Sequence, residues 1–85
     1  MNTYSSPSLG QVSASSLDEA ARLLAGRAAT AKYGRNGRLV NCETMSENET
    51  SAQFDVVIGG MNSLCQITAT RFEFTVEMVG KPTLK

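Results

Sequence analysis

Histidine is absent from this chain. That removes the side chain most often used as a general base near neutral pH, together with the serine and cysteine triads built around an imidazole. The two cysteines, Cys42 and Cys65, stand far apart, and with no histidine to complete a ligand set they make no zinc site. Net charge is missing too, because eight basic residues balance eight acidic ones. Such balance speaks against a general nucleic-acid binder and against an acidic mimic of a nucleic-acid backbone. No stretch approaches the roughly 20 apolar residues of a membrane span. The start "MNTYSSPSLG" has neither the basic head nor the apolar middle of a secretion signal. The expectation is a cytoplasmic, non-enzymatic protein without cofactor or metal, its two cysteines small core or half-buried residues and unbridged.

What is present describes one small folded domain: 85 residues, 41% hydrophobic and 19% charged. Residues 1–8 are polar and contain Pro7, which predicts a flexible lead. Residues 9–80 then form the domain, and 81–85 a short tail. "LGQVSA" reads as a short strand.

The stretch "SSLDEAARLLAGRAATAKYG" writes a helix. Ser16 with Glu19 makes a capping box, and Asp18 and Glu19 suit the positive end of the helix dipole. Leu17, Ala20, Ala21, Leu24, Ala28 and Ala31 recur at helical spacing as one apolar stripe. Gly34 provides the stop. Gly26, inside the helix, is either a close approach to another backbone or a tolerated surface glycine.

Beyond "GRNGR" the period changes from helical to alternating. "RLVNCETM" is a strand and "SENET" a turn. "SAQFDVVIGG" places Ala52, Phe54, Val56 and Ile58 on one side, and Gln53, Asp55 and Val57 on the other. "RFEFTVEMV" faces Phe72, Phe74, Val76 and Met78 inward. The parity of apolar positions changes between Ile67 and Phe72, which predicts a bulge near Thr70. The fold class expected is α+β, with one amphipathic helix packed on a three- to four-stranded antiparallel sheet. Phe54, Phe72, Phe74 and Leu24 should form its core.

Two charge runs stand out. Arg22, Arg27, Lys32, Arg35 and Arg38 occur with no acidic residue among them, and Glu43, Glu47, Glu49 and Asp55 follow with no basic one. The carboxylates read as a solvated hairpin tip. The basic run predicts an exposed surface that steers toward a charged partner, with Arg27, Lys32, Arg35 and Arg38 as the candidate contact residues.

The stretch "VSASSLDEAARLLAGRAATAKYG", followed by "SAQFDVVIGG" and "RFEFTVEMV", resembles the anti-CRISPR proteins of phages and mobile elements. Several of these look like a short strand, one helix of this type and an antiparallel meander. The resemblance implies a stoichiometric inhibitor in the cytoplasm of a host bacterium. Its partner would be a host protein or ribonucleoprotein defence complex, blocked at its nucleic-acid site or at nuclease recruitment. It carries over no site residues. Two other readings of the residues stay open. One is a small assembly domain that forms a homodimer through the open sheet face or the edge of the strand around Arg71 to Val79. The other is an accessory protein binding nucleic acid through the basic helix face, which the neutral overall charge disfavours.

Overall fold

A computed structural model describes residues 2–79. Five strands and one helix follow the order β1 (Asn2–Ser6), β2 (Gly10–Ala14), α1 (Leu17–Tyr33), β3 (Arg38–Glu47), β4 (Ser51–Met61) and β5 (Ile67–Val79), with a single 3-10 turn at Gly34–Asn36. All the strands pair antiparallel in one sheet of order β2-β1-β5-β4-β3. The α+β expectation holds, with five strands in place of three or four.

The extra strand comes from the segment expected to be a flexible lead. "NTYSS" carries one large apolar side chain, so alternation gave no signal there. Its backbone nevertheless finds partners on both sides, β2 and β5, and a paired backbone tolerates polar side chains. Tyr4 is 2% exposed and enters the core. Pro7 falls in the turn to β2, which closes where Leu9 N–H donates to the Ser6 carbonyl and Gly10 takes a φ of 91°. The expected tail at 81–85 lies outside the described residues.

The helix starts as its capping signals require. Ser16 Oγ accepts from the Glu19 amide at 3.1 Å, and the Glu19 carboxylate reaches back to the Ser15 amide, one residue upstream of the usual capping-box partner. Gly34 ends it at a φ of 74°. The buried stripe is Leu17, Ala20, Ala21, Leu24, Ala25 and Ala29. It swings away from the expected Ala28 and Ala31, because α1 crosses the sheet and touches all five strands. Ala28 is half-buried and Ala31 exposed. Nothing lies within 4 Å of a side chain built at Gly26, so that glycine makes no close approach.

On the sheet's inner face, Ala52, Phe54, Val56 and Ile58 of β4 meet Phe74 and Val76 of β5 beneath the helix. Phe74 bridges the aromatic row, 6.0 Å from Phe54 and 5.7 Å from Phe72 between ring centroids. Leu24 is fully buried from the helix side, and Phe72 packs half-buried at the margin.

The bulge expected near Thr70 is absent: β4 and β5 pair without a shift from Ser51–Glu77 to Met61–Ile67. The change of apolar parity has another cause. Ile67 belongs to the outer face and is 84% exposed. Register shifts occur in β3 instead, at Val40 and Met45. β1 covers the free side of β5 at Glu77, Met78 and Val79, so the part of the expected pairing edge at those residues is already occupied within the chain.

Two substitutions test this packing. Phe74→Ala should cost about 3–5 kcal/mol in urea denaturation, as buried aromatics do; an unchanged midpoint would refute the assigned core. Gly26→Ala should raise stability by about 1 kcal/mol, since the added methyl group meets only solvent and helix propensity improves.

Candidate functional site

One helix covers one face, so the outer face of the sheet is free. Its side chains form rows across β3, β4 and β5 that follow from the register: Met61 with Ile67; Arg38, Gly59 and Ala69; Asn41, Val57 and Arg71; then Glu43, Asp55 and Glu73. The face is therefore aliphatic at one end and charged in the middle.

The charged row corrects the expected hairpin tip. Glu47 and Glu49 do flank the β3–β4 turn, where Asn48 Oδ1 accepts from the Thr50 and Ser51 amides. Glu43 and Asp55 instead face each other mid-strand. The Asp55 side chain is 9% exposed and grips Arg71, whose Nη2 donates to Oδ2 at 2.5 Å and whose Nε lies 3.0 Å from both oxygens. Those guanidinium hydrogen bonds hold the Asp55 carboxyl below its usual range and outweigh the opposing effect of burial. They raise Arg71, helped by Glu73 and Glu43 on either side.

The aliphatic end was hidden in the sequence. Val40 is 58% exposed, and its side chain reaches the outer face beside Gly59 because β3 bulges there. Met61 and Ile67 are exposed and line the same hollow, and Leu64 is exposed in the β4–β5 turn. The available signals were Val57, Met61 and Ile67, apolar residues in the wrong phase for the core. A shallow hollow of about 380 Å³ runs between Asn36, Arg38, Val40, Met61 and Ile67.

The four candidate basic residues separate. Arg27 Nη1 donates to the Gln11 carbonyl at 2.6 Å, tying the helix to β2. Arg22, beside it in the basic run, pairs with Asp18 one turn earlier. Lys32, Arg35 and Arg38 are exposed and cluster at the other end of α1. Arg38 lines the hollow just described. Lys32 lines a second, with Tyr33, Met61, Asn62, Ser63 and Thr68. The Tyr33 hydroxyl lies 3.0 Å from Thr70 Oγ1, fixing the helix end to β5. Hydrogen bonds from Thr68 and Thr70 lower its pKa. Arg38 and Lys32 thus line two hollows that meet at Met61, Arg35 lies between them in sequence, and no acidic residue occurs in 20–42 or 56–72.

The two thiols sit apart, one in β3 and one in the β4–β5 turn. Cys42 is half-buried on the inner side of β3, where burial raises its pKa. Cys65, expected to be a core or half-buried residue, is exposed in the β4–β5 turn at a φ of 61°. Both are free. Among the described residues, no group of three or more Cys, Asp or Glu side chains is placed to hold a metal ion. No described helix is long and apolar enough to cross a membrane. No protein-family model matches the chain, and comparisons with curated proteins and with solved structures gave no match.

The Asp55–Arg71 pair makes a pH prediction. A carboxyl whose pKa is depressed by folding stabilises the protein above its unfolded value of about 3.9 and loses that contribution as pH falls through the folded value. Glu19, lowered by its Ser15 hydrogen bonds, acts in the same sense. Stability should therefore fall on acidification below about pH 4, and Asp55→Asn should flatten that fall while lowering stability at neutral pH. Parallel pH profiles for the two proteins would contradict this role for Asp55.

Proposed function

We propose that this chain is a non-catalytic binding protein that acts by occupying its partner. In the form suggested by the anti-CRISPR resemblance, the partner is a CRISPR–Cas complex in the bacterial cytoplasm. The protein occludes its nucleic-acid site or its nuclease recruitment, one copy per site. The observation that carries the reading is the aliphatic patch of Val40, Met61 and Ile67, exposed, with Arg38 lining the same hollow and Lys32 the adjoining one. Exposed apolar surface has a hydration cost that binding removes, and a cationic border gives the encounter direction. Of the candidate contact residues, Lys32, Arg35 and Arg38 belong to this surface. Arg27 serves the fold.

A homodimer through the same open face is the second reading, favoured by the same patch. Light scattering that finds only a 9.1 kDa monomer over a wide concentration range would retire it.

The test of the main reading is plating of a CRISPR-targeted phage on a host that expresses the protein. Wild type should restore plaques. The double variant Val40→Asp, Ile67→Asp should remain folded, since both side chains are exposed, and should not restore them. Failure of the wild type against every CRISPR system of its natural host would overturn the inhibitor reading. Full protection by the double variant would move the contact surface elsewhere.

A further inference from the structure

We infer that the aliphatic, basic end of the molecule docks an acidic amphipathic segment of a partner protein, with aliphatic side chains against Val40, Met61 and Ile67 and carboxylates over Lys32, Arg35 and Arg38. The inference rests on the reading of this end as the contact surface and adds the chemistry of the occupant.

Charge complementarity selects the occupant. The end is free of acidic residues over 20–42 and 56–72, and among the described residues no carboxylate pairs with Lys32 or Arg38, which line its two hollows, or with Arg35 between them in sequence. Arg71 is the next cation inward, and Asp55 engages it. The acidic row of Glu43, Asp55 and Glu73 begins only beyond Val57. A segment confined to the patch therefore meets positive potential alone, which a row of carboxylates complements.

A second copy would cover the aliphatic side chains but would lack charge complementarity. Two-fold pairing through the patch would set Lys32, Arg35 and Arg38 near the same residues of the other copy, where like charges repel.

Nucleic acid shares the negative charge but lacks a platform. Binding of single strands depends on exposed aromatic rings for base stacking. Phe54, Phe74 and Tyr4 are buried, Phe72 packs against the core, and the Tyr33 hydroxyl is held at Thr70. The exposed apolar groups are aliphatic, which suits leucine-type anchors and not bases.

The experiment uses the full chain and three probes. Two synthetic amphipathic peptides of equal length carry the same leucines at helical spacing, one with glutamates on its polar face and one with lysines. A single-stranded oligonucleotide is the third. The glutamate peptide should bind about tenfold or more tightly than the lysine peptide at low salt, with the gap narrowing as salt rises. Its amide shift changes should gather at residues 36–40, 59–61 and 67–69. The combined variant Lys32→Glu, Arg35→Glu, Arg38→Glu should invert the preference. Ile67→Ser, which alters an exposed side chain, should weaken the glutamate peptide without changing which peptide is preferred.

Equal affinity for the two peptides, preference for the lysine peptide, or shift changes centred elsewhere would overturn the inference. Tighter binding of the oligonucleotide would overturn it and assign the surface to nucleic acid. If phage plating still depends on Val40 and Ile67 while the glutamate peptide shows no preference, only the acidic occupant falls and the binding function stands. If the peptide behaves as expected and the plating variant keeps full activity, the occupant stands and the inhibitor reading falls.

Discussion

The thin alanine face of α1 is the constraint on which the structure depends. β2 and β3 lie at opposite edges of the sheet, and α1 is the segment that joins them. Four strand spacings make that separation about 19 Å, and 17 helical residues span about 25 Å. The helix must therefore run across the strands in close contact with all of them. Ala20, Ala21, Ala25 and Ala29 are fully buried at that contact, and larger side chains there would lift the axis from the sheet. The bulk that fills the remaining space comes from Phe54 and Phe74 below and Leu24 above. Close docking also explains two glycines. A Cβ at Gly37 would collide with the Ala29 carbonyl oxygen, and one at Gly60 would sit 2.6 Å from Tyr33 Cβ. The chain turns back beneath its own helix at the first position and passes under the final aromatic at the second. Neither position has room for a side chain.

From that constraint follows the asymmetry of the two faces. A single crossing helix covers the inner face from edge to edge, so apolar groups there are buried, and the outer face must remain compatible with water or with a partner. Its middle does so through charge. Asp55 is nearly buried by the neighbouring strands, and its cost of desolvation is offset by the paired donors of Arg71. Ser6 is the contrast. Its hydroxyl is buried on the inner side of β1 with no protein partner, a place where a polar group loses water and gains no hydrogen bond in return.

Much of this was legible in the residues, and the limits were physical. The helix was readable because Ser16, Glu19 and Gly34 act locally, through hydrogen bonds and backbone conformation within one turn. The inward set of β4 was readable because Phe54, Val56 and Ile58 alternate against polar neighbours. β1 was not, because pairing on both sides stabilises "NTYSS" through the backbone, which leaves no mark in side-chain pattern. The rotation of the helix face toward Ala25 and Ala29 depends on how the helix crosses the sheet, which no local signal encodes. Among the candidate contact residues, the sequence showed a basic run but not its division. Arg27 is drawn to Gln11 by a contact across 16 residues. Arg38 joins the patch because β3 starts on the outer face, and Val40 because β3 bulges immediately after it.

The same geometry that limits the fold also suits its end for binding. The glycine-dependent approaches at Gly37 and Gly60, together with the Tyr33–Thr70 hydrogen bond, pin the C-terminal end of α1 to the strands that carry the patch. Lys32 and Arg35 are thus held on the same scaffold as Val40, Met61 and Ile67, and at the helix end where the backbone dipole favours cations. Holding charge and apolar surface in fixed relation lowers the ordering cost that a partner would otherwise meet on docking. A chain with no net charge acquires a polarised surface in this way: Glu43, Asp55 and Glu73 occupy the middle of the outer face, Glu47 and Glu49 the β3–β4 turn, and Lys32 and Arg38 the hollows at the aliphatic end. Affinity for the proposed partner would then depend on local complementarity and not on net charge, so a neutral composition is compatible with the proposed docking surface.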